Sequence, residues 1–89
     1  MIVEIVTPDK KIFEGTADGV QLPGTEGSFE VLNNHAPIIS TLEPGKIRVR
    51  TGKDTQFFNV SGGLIEMSNN KVVVLAESVV EEKISLQKS

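Results

Sequence analysis

The sequence predicts an all-β domain, a sandwich or a barrel, on three observations. Turn signals recur every eight to twelve residues, the spacing of short antiparallel strands. Between them apolar and polar residues alternate at the strand period. The apolar set is β-branched, with eleven Val and eight Ile against six Leu and three Ala. Side chains stiff at Cβ suit a pleated sheet better than a helix.

Taken in chain order, Ile2-Val3-Glu4-Ile5-Val6 is a strand apolar on both faces, and Thr7-Pro8-Asp9-Lys10 turns it, with proline presetting φ. Val20 and Leu22 flank Gln21 in the next alternating segment, which Pro23-Gly24 closes as a turn. Phe29 and Val31 then alternate with Ser28 and Glu30. Asn33-Asn34-His35-Ala36-Pro37 reads as a shaped, exposed loop, because Pro37 holds Ala36 extended. Glu43-Pro44-Gly45-Lys46 has the Pro-Gly centre of a type II turn, and Ile47 and Val49 alternate with Arg48 and Arg50 beyond it. Thr51-Gly52-Lys53-Asp54 and Ser68-Asn69-Asn70-Lys71 are hairpin tips, since Gly and Asn accept positive φ. Gly62-Gly63, inside strand-like sequence, marks a bulge or a close backbone approach. Val72-Val73-Val74-Leu75-Ala76 is again apolar on both faces.

In a two-layered sandwich the outer face of each strand meets water. Strands apolar on both faces therefore predict that part of one outer face is covered, by a neighbouring subunit or by the chain's own tail. Ordinary apolar surface is the plainer alternative. Residues 1–80 are expected to form the sandwich and 81–89 a short tail, in which Glu81-Glu82-Lys83 is charged and Val79, Val80, Ile84 and Leu86 recur at loosely helical spacing.

Composition excludes several classes of function. At 89 residues the chain is one domain, and without cysteine it builds its core without disulfides. A net charge of −3 gives no basic footprint for duplex nucleic acid, and four Phe without Trp or Tyr give no stacking platform. The N-terminus lacks the pattern of a signal peptide, and no apolar run is long enough to span a membrane as a helix. A soluble protein of a cytosol-like compartment is expected. Catalytic means are thin. His35 is the only histidine, so no His-rich metal site can form, and Ser61-Gly62-Gly63 lacks the leading glycine of a nucleophile elbow. Gly62-Gly63 lacks the lysine of a phosphate loop, and no pair of carboxylates stands apart from solvated strand faces. No catalytic, cofactor or metal site is expected. His35 itself either bonds neighbouring backbone and holds its loop or touches a partner at the rim of a binding surface.

At this loop a family resemblance emerges. Gly24-Thr25-Glu26-Gly27, His35-Ala36-Pro37 and Leu42-Glu43-Pro44-Gly45, in that order and spacing, resemble the epsilon subunit of F-type ATP synthases. Ser61-Gly62-Gly63-Leu64-Ile65-Glu66 and Lys71-Val72-Val73-Val74-Leu75-Ala76-Glu77 extend the resemblance, as do Thr7-Pro8 and Phe13-Glu14-Gly15, so that it runs from about Ile2 to Val80. The departures are Ser28-Phe29-Glu30, where many relatives have glutamate-leucine-glycine, and Asn33-Asn34, where they have proline-glycine.

The resemblance implies a flattened two-sheet β-sandwich of about ten short strands, without the family's C-terminal helical hairpin. It also implies a non-catalytic central-stalk subunit that links the gamma subunit to the c-ring and passes proton-driven torque toward ATP synthesis. Such a subunit lies peripherally at the cytoplasmic face of the bacterial plasma membrane. Carried over by position, Gly24, Glu26, Gly27, His35 and Ala36 are expected at the ring-facing end, and Thr7 and Thr41 toward gamma. A free-standing β-sandwich ligand-binding module is the alternative; it needs a concave pocket with aromatic lining. A small hydrolase using scattered carboxylates is a third.

Overall fold

A computed structural model describes residues 1–82, with side chains through Val80. The described residues form ten strands: β1 (Ile2–Val6), β2 (Lys11–Thr16), β3 (Gly19–Gly24), β4 (Gly27–Leu32), β5 (Ile38–Leu42), β6 (Gly45–Thr51), β7 (Asp54–Val60), β8 (Gly63–Ser68), β9 (Lys71–Ala76) and β10 (Val79–Glu82). Strand order gives two five-stranded layers, β4-β3-β6-β7-β10 and β5-β8-β9-β1-β2. Every pairing is antiparallel except that of β1 with β9. The expected two-sheet sandwich of about ten strands is what forms.

Period two explains the layering. Val20 and Leu22, Ile47 and Val49, Phe58 and Val60 turn inward from the first layer; Val3 and Ile5, Ile65 and Met67, Val72 and Val74 turn inward from the second. The Phe13 and Phe58 rings meet across the seam, 5.3 Å between centroids and tilted by 53°, a favourable arrangement for ring quadrupoles. No polar or charged side chain is buried among the described residues. The seam is thus a dry apolar contact, packed at the density of an organic solid and correspondingly stiff.

Turn chemistry matches the sequence in most places. Asn69 and Asn70, with φ of 52° and 59°, make the β8–β9 hairpin, and Gly52, at 60°, leads the β6–β7 hairpin. Two expectations are corrected. Pro23-Gly24 is not a turn but the end of β3; the turn lies at Thr25-Glu26. The β3–β6 ladder ends at Gln21 and the β3–β5 pairing occurs at Gly24. Pro23 thus sits between ladders, where a missing N–H costs nothing, and its carbonyl accepts the Glu43 N–H at 2.9 Å. The Glu43-Pro44-Gly45-Lys46 segment is also not a type II turn, because Gly45 does not have positive φ. Glycine is required there by crowding, since a Cβ would lie 2.8 Å from that of Pro23.

The tail differs as well. β10 pairs with β7 from Val79 to Glu82, so strand structure runs two residues past the expected boundary, and Val79 and Val80 are extended rather than helically spaced. The rest of the expected tail, 83–89, lies outside the described residues.

The second layer carries an ion ladder on its outer face. Lys11 Nζ lies 3.0 Å from both Glu4 Oε2 and Glu14 Oε1, and Lys71 Nζ lies 4.0 Å from Glu4 Oε1. The hydrogen bond from Lys11 holds the Glu4 carboxyl below the usual glutamate value, against a smaller opposing effect of burial, and the positive charges of Lys11 and Lys71 act in the same direction. Hydrogen bonds to Glu14 and then to Glu4 raise the Lys11 ammonium above its ordinary value.

Gly62-Gly63 does mark a close backbone approach: Gly63 has φ +156° and a Cβ there would collide with the Leu75 carbonyl oxygen. Gly63→Ala should destabilise the domain by about 2 kcal/mol or more, read as a lower midpoint in urea unfolding. Because the folded pKa of Glu4 is depressed, its stabilising effect is present above the unfolded value and is lost as pH falls through the folded one. An NMR titration should show Glu4 titrating below the usual glutamate range, and Lys11→Met should return it toward that range.

Candidate interaction surface

Strand directions sort the connections onto two ends. One end, here the turn end, carries the β1–β2, β3–β4, β5–β6, β7–β8 and β9–β10 connections; the other carries β2–β3, β4–β5, β6–β7 and β8–β9. This separates the residues expected at one ring-facing end. Gly24, Glu26 and Gly27 lie at the turn end, where Thr25 and Glu26 form the exposed tip. His35 and Ala36 lie in the β4–β5 loop, at the opposite end. All of β4 stands between the two groups. The expectation of one shared end is therefore corrected: eight residues after Thr25-Gly27 look close in sequence, but an extended strand at about 3.3 Å per residue carries the chain to the far side.

His35 has a local role. Its backbone N–H donates to the Leu32 carbonyl at 3.1 Å, closing a turn, and its ring Nδ1 lies 2.7 Å from the Ala36 carbonyl. The Asn34 N–H donates to Asn70 Oδ1 at 2.7 Å, tying the loop to the β8–β9 hairpin.

Thr7 and Thr41, by contrast, share an end. Thr7 Oγ1 donates to the Lys10 carbonyl at 3.2 Å and braces the first turn. Thr41 Oγ1 pairs with Thr25 Oγ1 at 2.8 Å, joining β5 to the β3–β4 tip. Between them the outer face of the second layer is apolar. The registers Thr41↔Leu64, Leu64↔Leu75 and Leu75↔Val6 set these side chains in one row across four strands, and Thr7 follows Val6. The next row holds Ile39, Glu66, Val73 and Glu4. Ile39 is 68 % exposed and Leu75 is 49 % exposed.

This is the both-face apolar pattern of β1 and β9 in three dimensions: one face in the core, the other open. Nothing among residues 1–82 covers it, because β10 lies at the far edge of the other layer. The hollows on this face are shallow. One, of about 440 Å³, is lined by Thr25, Glu26, Ile39, Ser40, Thr41 and Leu64, and another, of about 270 Å³, by Val6, Thr7, Pro8, Leu75, Ala76 and Glu77. Neither has an aromatic wall, so the arrangement offers a broad surface for a macromolecule rather than a pocket for a small ligand. Leu64, Ile39 and Glu66, which were not among the expected contact residues, are neighbours of Thr41 and Leu75 on this face. Their membership depends on register across three strands, which no local pattern carries.

The opposite outer face is mixed, with Leu32 49 % and Val80 66 % exposed beside a row of cations. Lys46, Arg48 and Arg50 alternate along β6, with Lys46 Nζ 5.2 Å from the centre of the Phe57 ring and Arg50 Nη2 3.5 Å from Glu30 Oε2. Among the described residues no helix is long and apolar enough to cross a membrane, and no group of three His, Cys, Asp or Glu could hold a metal ion.

Comparison with known proteins gives the same answer from three directions. The beta-sandwich domain of the ATP synthase Delta/Epsilon chain matches residues 1–82, the whole of the described fold. The ATP synthase epsilon chain of Caulobacter vibrioides is 43% identical over 77 residues, covering 86% of this chain and 90% of that one. That of Maridesulfovibrio salexigens is 42% identical over 86 residues, covering 97% of this chain but 60% of that one. A solved chain from the Euglena gracilis mitochondrial ATP synthase, in an OSCP/F1/c-ring assembly, shares the fold at a TM-score of 0.86 and 21% identity, over 91% of this chain and 52% of that chain. Relatives such as these last two thus extend well beyond the part matched here. With its strands, registers and sequence all in agreement, the chain belongs to the ATP synthase Delta/Epsilon chain family and forms that family's beta-sandwich domain.

Proposed function

We propose that this chain is a non-catalytic central-stalk subunit of a proton-translocating F-type ATP synthase. It grips the gamma subunit with the outer face of its second layer and rests its turn end on the c-ring. The observation that carries the reading is the open row Leu64–Leu75–Val6, flanked by Thr7 and Thr41 on a member of the epsilon family. An apolar centre with polar flanks is the anatomy of a protein interface.

The ring contact is assigned to Gly24, Glu26 and Gly27. Exposed Asp9, Glu26, Glu43 and Glu77 give the turn end an acidic rim beside Lys10 and Lys11, the latter engaged by Glu4 and Glu14, suited to steering and registering a polar partner loop. His35 and Ala36, at the far end, stand outside this contact and shape their own loop. The two proposed contacts adjoin at Thr25 and Thr41, so a load taken at the tip passes directly into the layer that holds gamma. A dry core with short turns transmits that load with little compliance. The subunit makes and breaks no bonds, needs no cofactor, and reaches the cytoplasmic face of the bacterial plasma membrane only through the complex.

The test is co-elution. The purified chain should run with purified gamma subunit on gel filtration, and Leu75→Glu, on an exposed position that leaves the core intact, should weaken binding by at least about tenfold. In the complex, removal of the chain should uncouple proton flow from ATP synthesis. Failure of the wild-type chain to bind gamma, with normal coupling in its absence, would overturn the reading.

A further inference from the structure

The outer face of the second layer holds three carboxylates, and two are neutralised in place. Glu4 is bridged by Lys11 and Lys71, and Glu14 by Lys11. Glu66 has no ion pair among the described residues. It lies in the second row, between Ile39 on β5 and Val73 on β9, with Leu64 two residues before it on the same face. A hollow of about 290 Å³ opens on one side of it, lined also by Ser68, Asn69, Lys71 and Val73, and one of about 350 Å³ opens on the other, against Pro37 and Ile39. Lys71 borders the first hollow, but its ammonium is directed to Glu4.

Any partner that covers Ile39, Leu64 and Leu75 also strips water from the Glu66 carboxylate. A carboxylate desolvated without a counter-charge is strongly unfavourable, whereas one met by a hydrogen-bonded cation is not. From this we infer that Glu66 is a specificity-determining residue of the docking face: it receives one cationic side chain, Arg or Lys, carried within the apolar docking segment of the partner. The inference rests on the reading that this face seats the gamma subunit and adds what gamma has to present there. Apolar neighbours supply area, and the lone carboxylate selects register, since a segment shifted along the face would leave both charges buried and unpaired.

The experiment compares wild type, Glu66→Gln and Glu66→Lys for binding to purified gamma by titration calorimetry at low and at high salt, with thermal unfolding as a check that each exposed substitution leaves the fold intact. Glu66→Gln should weaken binding by about tenfold at low salt and flatten the salt dependence, and Glu66→Lys should weaken it by about a hundredfold. Unchanged or tighter binding by Glu66→Gln, while Leu75→Glu still weakens it, would overturn the cation and leave the docking face standing. Absence of binding by the wild-type chain would overturn both.

Discussion

The structure depends on one contact, the dry seam between two five-stranded layers. Most strands give alternate side chains to it, and Val3, Ile5, Leu22, Ile47, Phe58, Ile65 and Val74 are all withdrawn from water there. Once those positions are committed to the seam, the alternate positions have no freedom of direction. They face outward as a set, and the registers between strands decide which of them become neighbours. The apolar row and the ion ladder are both results of inward packing, arranged by the same hydrogen-bonded pairs that build the sheet.

This coupling makes the outer face a property of the whole layer. Leu64 meets Leu75 only because β8 and β9 share a tight hairpin at Asn69-Asn70, and Leu75 meets Val6 only because β1 runs parallel beside β9. Gly63 allows the close passage of β8 past Leu75 at the start of this row. A surface assembled this way is tied by the same ladders to the core beneath it, as the proposed transfer of torque requires.

Much of the fold was legible in the sequence because its causes are local. Alternation at Ile47–Val49 and at Phe29–Val31, the hairpin tips at Gly52 and Asn69-Asn70, and the glycine pair at 62–63 each express a constraint within a few residues. Errors arose where the cause is non-local. Pro23-Gly24 reads as a turn, but a gap between two ladders makes it strand. Pro44-Gly45 reads as type II, but crowding by Pro23 is what requires the glycine. Val79–Glu82 carries no alternation that distinguishes it from a tail, and it is extended because β7 offers an open edge. The placement of the expected contact residues in the fold divides along the same line. Thr7 and Thr41 fall together, whereas Gly24–Gly27 and His35–Ala36, near each other in the chain, are held apart by the length of β4.

The parallel pairing of β1 with β9 also governs how the chain comes together. As the chain is made, β1 has β2 as an immediate hairpin partner, but its other edge stays open until Lys71–Ala76 has been synthesised. Closing so long a loop is entropically slow and belongs to the late stages of folding. Nascent chains therefore pass the whole interval between the synthesis of β1 and that of β9 with the edge of Ile2–Val6 unsatisfied, the period in which a sheet protein is most open to pairing with its neighbours.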